Sequence, residues 1–229
     1  MKRTLPFLPF FFGALFFLSL SRPLEAQSFF SRLSWSAGGS ILFFPEDNGM
    51  RSDPMPILPS PGMGAAYPVY GPLWAELTLD LYFTHYGYDD TLGRAVPYAI
   101  ENRSAQVWAF VLGAQAVGRF TLSPLIDLRA YGGFAADMRL VLLAEDLNEG
   151  IDDIDAIRAE TGRVSDYFWG RGRWFLPLIG TGVDFNLNER FKLGIDVRMW
   201  IPLYKLWTDE GFMKIDGWRF GVGLRLSFK

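Results

Sequence analysis

Six acids, Glu76, Asp80, Asp127, Asp137, Asp184 and Asp196, and seven bases, Arg119, Arg129, Arg139, Lys192, Arg198, Arg219 and Arg225, stand on the polar side of otherwise apolar segments. Carboxylates gathered in one enclosed space can serve as a general acid/base pair or pass protons along a path. A near-equal mixture of opposite charges has a simpler use. An unpaired charge out of water costs several kcal/mol, so such a set predicts an interlocked ion-pair network, here centred on Arg129, Arg139 and Arg225. Other chemistry lacks its residues. His85 is the only histidine and there is no cysteine, so a several-ligand metal centre, a thiol nucleophile and a disulfide framework are all excluded. No Walker loop, Gly-x-Ser-x-Gly elbow or His-Glu-x-x-His occurs. Asp146 to Gly150 does not put glycine at the sixth position of a calcium loop. No cofactor, no metal and no enzymatic activity are expected.

The elements that must position these charges show in the alternation around them. From Trp218 to Phe228 the even positions are Trp218, Phe220, Val222, Leu224, Leu226 and Phe228, and the odd ones are Arg219, Gly221, Gly223, Arg225 and Ser227. A period of two places the sets on opposite faces of a strand. Residues 73–86, 125–142 and 190–204 follow the same rule, and 31–44, 105–122 and 173–187 follow it with Gly and Ala on both faces. After the N-terminal segment no apolar run reaches the 18 or so residues of a membrane helix, yet hydrophobic residues make up 50% of the chain and aromatics 17%. Backbone groups within a bilayer must be satisfied by the chain, which leaves a closed barrel.

The connections ask for one more strand. Ser123-Pro124 and Asn188 to Arg190 read as tight turns, whereas 88–104, 143–172 and 205–215 are long, the alternation of a barrel with two different ends. Termini that share the short-turn end require an even count, so residues 58–69 supply an eighth strand before a turn at Tyr70-Gly71-Pro72, despite Pro59, Pro61 and Pro68. The expected fold is all-β: a closed antiparallel up-and-down transmembrane barrel of about eight strands, with short periplasmic turns and long extracellular loops. Aromatics then fall into two interfacial belts. Phe43, Phe83, Tyr86, Trp108, Phe110, Trp174, Phe175, Tyr204, Trp218 and Phe220 mark the long-loop end, and Phe30, Tyr67, Phe120, Phe185, Phe191 and Phe228 the short-turn end. Trp74, Tyr82, Trp174 and Trp200 are candidates for lining the outer mouth.

The final strand, with Phe220, Val222, Leu224, Leu226 and Phe228 on its apolar face, resembles the signal read by the bacterial barrel-assembly machinery; Lys229 departs from the usual terminal aromatic. The whole pattern resembles the small outer-membrane barrels of the OmpW-like kind, with the OmpA-transmembrane and OmpX-like barrels as second choice. That resemblance implies residence in the outer membrane of a diderm bacterium and contact with its lipid. It further implies admission of small apolar solutes at the outer mouth. The alternative is a structural or adhesive barrel that displays its loops to an extracellular ligand.

Residues 1–26 read as a cleaved signal peptide, with Lys2 and Arg3 before the apolar run and a small residue, Ala26, at its end, leaving 27–229 as one barrel domain. Their loss removes three bases and one acid and takes the formal charge from −3 to −5, which disfavours nucleic acid as a partner. An N-terminal anchor is the competing reading, but Pro6, Pro9 and Gly13 interrupt the run. A soluble lipocalin-like barrel would need charges outside. In the longest loop, Ile151, Ile154 and Ile157 recur at helical spacing and are expected to pack over the mouth.

Overall fold

A computed structural model describes residues 29–46, 57–97, 104–145, 154–208 and 210–228. Nine strands form among the described residues: β1 Ser34–Phe43, β2 Ile57–Tyr70, β3 Leu73–Asp89, β4 Arg94–Pro97, β5 Ser104–Ser123, β6 Ile126–Glu145, β7 Phe175–Asn186, β8 Phe191–Trp200 and β9 Arg219–Phe228. Every pairing is antiparallel. The order β2-β1-β9-β8-β7-β6-β5-β3, with β2 paired to β3, closes a barrel of eight strands, while the short β4 extends β3 beyond the wall. The proposed signal segment and the cleavage point lie outside the described residues.

The two faces follow from strand parity. On β9, Leu224 and Leu226 are 58% and 41% exposed, whereas Arg219 is 7% exposed and turned inward. The same sorting puts Leu77, Leu112, Phe134, Ile179 and Val197 outside and Glu76, Asp127, Arg129, Asp137 and Asp196 inside. Exposed apolar residues girdling a charged axis are the reverse of a soluble barrel, and the lipocalin-like reading is set aside.

The prolines of β2 are tolerated for a definable reason. The ladder to β1 runs unbroken from Ile57 to Ala66, but the ladder to β3 begins only at Gly62 opposite Asp80. Alternate residues of a strand turn their backbone groups to alternate neighbours. An intact β1 ladder therefore requires the even residues of β2 to bond β1, which leaves the missing N–H groups of Pro59 and Pro61 on the β3 side, where pairing ends.

Three expectations need correction. Strand β8 stops at Trp200, not 204; Pro202 follows, and a 3-10 turn, Leu203–Leu206, takes over. The loop helix, α1, spans Ile154–Trp169 and seats Val164 and Phe168, which the sequence did not single out, against Tyr86, Ala95, Ala105 and Val107. Ile151 lies outside the described residues. Tyr86 and Tyr204 are buried, so neither belongs to the interfacial belt. Trp74 opens β3 immediately after the Gly71-Pro72 turn, at the end opposite the outer mouth.

Candidate functional site

Among the described residues the interior of the barrel holds most of the ionisable groups that are out of water, and strand register decides which of them meet. At the short-turn end Lys192 donates to Asp127 at 2.7 Å. Above it one chain of ion pairs crosses the lumen. Arg119 lies 3.9 Å from Glu76, and Glu76 accepts from Arg225 at 2.6 Å. Arg225 is 3.9 Å from Asp184, which Arg129 meets at 2.9 Å. Arg129 is 3.5 Å from Asp196; Arg198 then bridges Asp196 at 3.2 Å and Asp80 at 2.6 Å. Four carboxylates and four guanidiniums are thus joined from β5 through β3, β9, β7, β6 and β8 and back to β3.

This arrangement neutralises itself. Each acid of the chain touches two bases except Asp80, which accepts twice from Arg198, a guanidinium that also donates to the Ser40 hydroxyl. Gly182 and Gly194 let the chains cross: a Cβ at Gly182 would stand 2.9 Å from Arg129 Nη2, and one at Gly194 3.0 Å from Arg225 Cγ. Beside the chain is a polar cavity of about 40 Å³, lined by Ser36, Thr78, Gln115 and the same charges. That volume holds only a few water molecules.

A second cluster sits nearer the long loops. Along β6 the inward residues run Asp127, Arg129, Tyr131, Gly133, Ala135, Asp137 and Arg139, so Tyr131 and Ala135 separate the lower chain from the upper charges. Asp137 is bonded by Arg139 at 2.8 Å, by Arg219 and by the Tyr82 hydroxyl at 3.1 Å. Arg139 therefore belongs to this upper trio, apart from Arg129 and Arg225, with which the sequence grouped it. Leu42, Phe44, Leu58, Tyr82, Leu176, Leu178 and Trp200 pack into one buried apolar cluster around it. Phe44 presents its ring to Arg219 at 4.9 Å, and Tyr86 donates to Glu46 at 2.8 Å.

Helix α1 closes the top. The ring of Phe168 lies 4.0 Å from the Arg139 guanidinium and 4.8 Å edge-on from Tyr86, a cation–π contact that joins cap to plug. Trp169 donates its indole N–H to the Arg139 carbonyl at 3.2 Å. That bond falls where β6 has outrun β7, since their ladder ends at Ala136 opposite Phe175. The helix thereby covers a strand edge that would otherwise be unpaired.

Of the four proposed mouth residues, Tyr82 and Trp200 meet in the buried cluster. Trp174 stands exposed at the outer rim against Phe175, and Trp74 is at the far end with Arg119 stacked 3.9 Å above it. Leu42, Phe44, Tyr86, Leu176 and Leu178 were missed as interior residues. Their parity with Ser40, Thr84 and Asp184 was the available signal. His85 faces Phe83 edge-on at 4.9 Å on β3. Among the described residues no group of three or more potential metal ligands comes together.

Closed antiparallel barrel, charged axis, apolar girdle and one end of long loops together define the class of small eight-stranded outer-membrane-type β-barrels. Among solved structures the chain is similar to Neisserial surface protein A, at 13% identity and a TM-score of 0.50, covering 86% of this chain and 96% of that one. It also matches Ail of Yersinia pestis (10%, TM-score 0.44) and the N-terminal barrel of Pseudomonas aeruginosa OprF (12%, TM-score 0.42), each over 86% of this chain and 95% of the other. No family model and no curated protein matches the sequence.

Proposed function

We propose that this chain is a non-conducting outer-membrane barrel that holds a capped, rigid face outside the cell, where it serves as a structural or recognition surface. The observation that carries this reading is the filled axis: an ion-pair chain and an apolar cluster occupy successive levels of the lumen, and a helix caps its mouth. Eight strands enclose a space that side chains alone can fill. Residues 1–26 act as the cleaved export signal, and the face carrying Phe220, Val222, Leu224, Leu226 and Phe228 is what the barrel-assembly machinery reads. Reconstituted in a planar bilayer, the full mature chain is expected to leave the baseline flat; a steady ohmic conductance would reject the filled axis. Loops on a rigid scaffold commonly carry recognition, so removal of residues 146–172 is the companion test for binding to cells or matrix.

The OmpW-like reading, admission of small apolar solutes, draws support from one feature. The β2–β3 ladder stops at Gly62–Asp80, so the upper wall between Pro59-Ser60-Pro61 and Leu81-Tyr82-Phe83 is held by packing and not by rungs. A solute entering by Tyr82 and Trp200 would leave there. Saturable binding of a hydrocarbon or detergent that is lost on crosslinking β2 to β3 supports it; absence of binding removes it.

A further inference from the structure

The cap carries an apolar surface that nothing in the barrel's interior uses. Leu206 and Trp207 are 64% and 60% exposed, Met213 92% and Ile215 61%; Trp169 and Trp174 are each about two-fifths exposed. Exposed apolar groups gathered in one patch mark a contact surface.

The patch is held in place by backbone contacts. Trp207 donates its indole N–H to the Arg171 carbonyl at 2.9 Å, and Trp169 donates to Arg139. The Trp207 ring lies over Gly172, where a Cβ would stand 3.3 Å away. Arg171 takes a left-handed backbone, φ 53°, a strained conformation for a residue with a side chain. Lys205 reaches across its loop to the Lys214 carbonyl at 2.9 Å. With their N–H groups already bonded, the two indoles offer ring surface outward.

The patch is continuous with the lipid-facing girdle. Phe134 on β6 stacks on Phe175 on β7 with centroids 5.2 Å apart, and Phe175 meets Trp174 at 5.8 Å. Three residues before Trp174 stands Arg171, whose carbonyl Trp207 holds. Ring contacts thus lead from the barrel wall at Phe134 through Phe175 to Trp174 at the rim, three residues from the point where Trp207 holds the cap. Tryptophan favours the headgroup level, where its ring meets acyl chains and its edge meets polar groups. Exposed Arg171 and Lys214 border the patch and suit the phosphates found at that depth.

We infer that the cap is seated in the membrane: Trp169, Trp174, Leu206, Trp207, Met213 and Ile215 lie in the outer headgroup layer of the bilayer that the barrel spans, so that lipid clamps α1 over the mouth. This rests on the barrel being transmembrane, and the test separates the two. The chain has no cysteine, so single cysteines at Met213, Trp207, Arg158 and Leu224 take one environment-sensitive fluorophore each. Arg158 is on the solvent side of α1 with its side chain 68% exposed, and Leu224 is on the mid-barrel face.

In phosphatidylcholine–phosphatidylglycerol vesicles the labels at 207 and 213 should emit to the blue of the label at 158. Nitroxides near the headgroup should quench them and aqueous iodide should not; the label at 158 should respond the opposite way. M213C replaces a side chain with almost no contacts and keeps the test independent of any folding defect in W207C. Iodide quenching at 207 and 213 equal to that at 158, with the label at 224 still reached by lipid quenchers, overturns the inference alone. A label at 224 open to iodide overturns the transmembrane reading beneath it. Protection of 207 and 213 from both quenchers, growing with protein density, also overturns the inference and points to a second copy.

Discussion

Arg129 is the side chain on which the lower ion-pair chain turns, and replacing it tests whether that chain holds the barrel. Its guanidinium has no solvent exposure and meets Asp184 at 2.9 Å and Asp196 at 3.5 Å. Arg129→Met keeps most of the stem and removes the charge. Asp184 is then left with Arg225 at 3.9 Å, and Asp196 with Arg198 at 3.2 Å. Removing one partner of a buried pair costs about 3–5 kcal/mol, and because both carboxylates keep a second base the low end, about 3 kcal/mol, is expected. At a urea slope of about 1–3 kcal/mol per M, the unfolding midpoint in phospholipid vesicles drops by about 1 M or more. The double variant Arg129→Met, Asp184→Leu removes the stranded acid with its partner and should recover at least half of that loss. A midpoint for Arg129→Met that matches the parent, or a double variant weaker than the single, would refute the assignment of Arg129 as the centre.

The cap gives two further tests. Phe168→Ala removes a buried ring from Tyr86 and Arg139, a change that costs about 3–5 kcal/mol where the site cannot collapse; protease cleavage within 154–173 should accelerate while the barrel keeps its heat-resistant gel mobility. Burial pushes the Tyr167 phenol up to about 12, against the partial counter-effect of Arg173, and Tyr204 is raised in the same way. Below pH 10 both phenols are neutral whether the cap is closed or open, and its stability is complete. Between pH 10 and about 12 the open form loses its proton first, so closure weakens by up to about 3 kcal/mol for Tyr167. Tyrosinate absorbance and protease sensitivity should rise together across that window, and cap opening complete below pH 9 would contradict it.

Strand positions and faces were legible because a barrel wall divides lipid from interior at every residue, and a period of two records that division directly in segments such as Trp218 to Phe228. Strand β2 was legible only by counting, since Pro59 and Pro61 spoil its local pattern; that both point to the unpaired side is a fact of register. The partners of the interior charges were beyond reach. Glu76 meets Arg119 and Arg225 because strand tilt and stagger decide which rows meet across the axis, whereas Arg139 parts from Arg129 because ten positions along β6, about 33 Å of strand, separate them. Loops carry no such constraint. The isoleucine spacing located the helix, but Val164 and Phe168 carried no signal of their own, for they are chosen by the shape of the plug beneath them. From sequence Tyr86 and Tyr204 read as belt residues, since an aromatic near a strand end looks alike whichever way it points.

The sidedness of β9 tests the central claim most directly. Ten single-cysteine variants from Arg219 to Phe228, spin-labelled and folded into vesicles, report collisions with lipid-soluble oxygen and with a water-soluble nickel chelate. Oxygen contact should peak at 220, 222, 224, 226 and 228 and fall at the positions between, where neither reagent gains ready access. A maximum of oxygen contact at Arg219 and Arg225, or a profile without a period of two, would contradict a barrel that turns its apolar side to lipid and its charges to a filled axis.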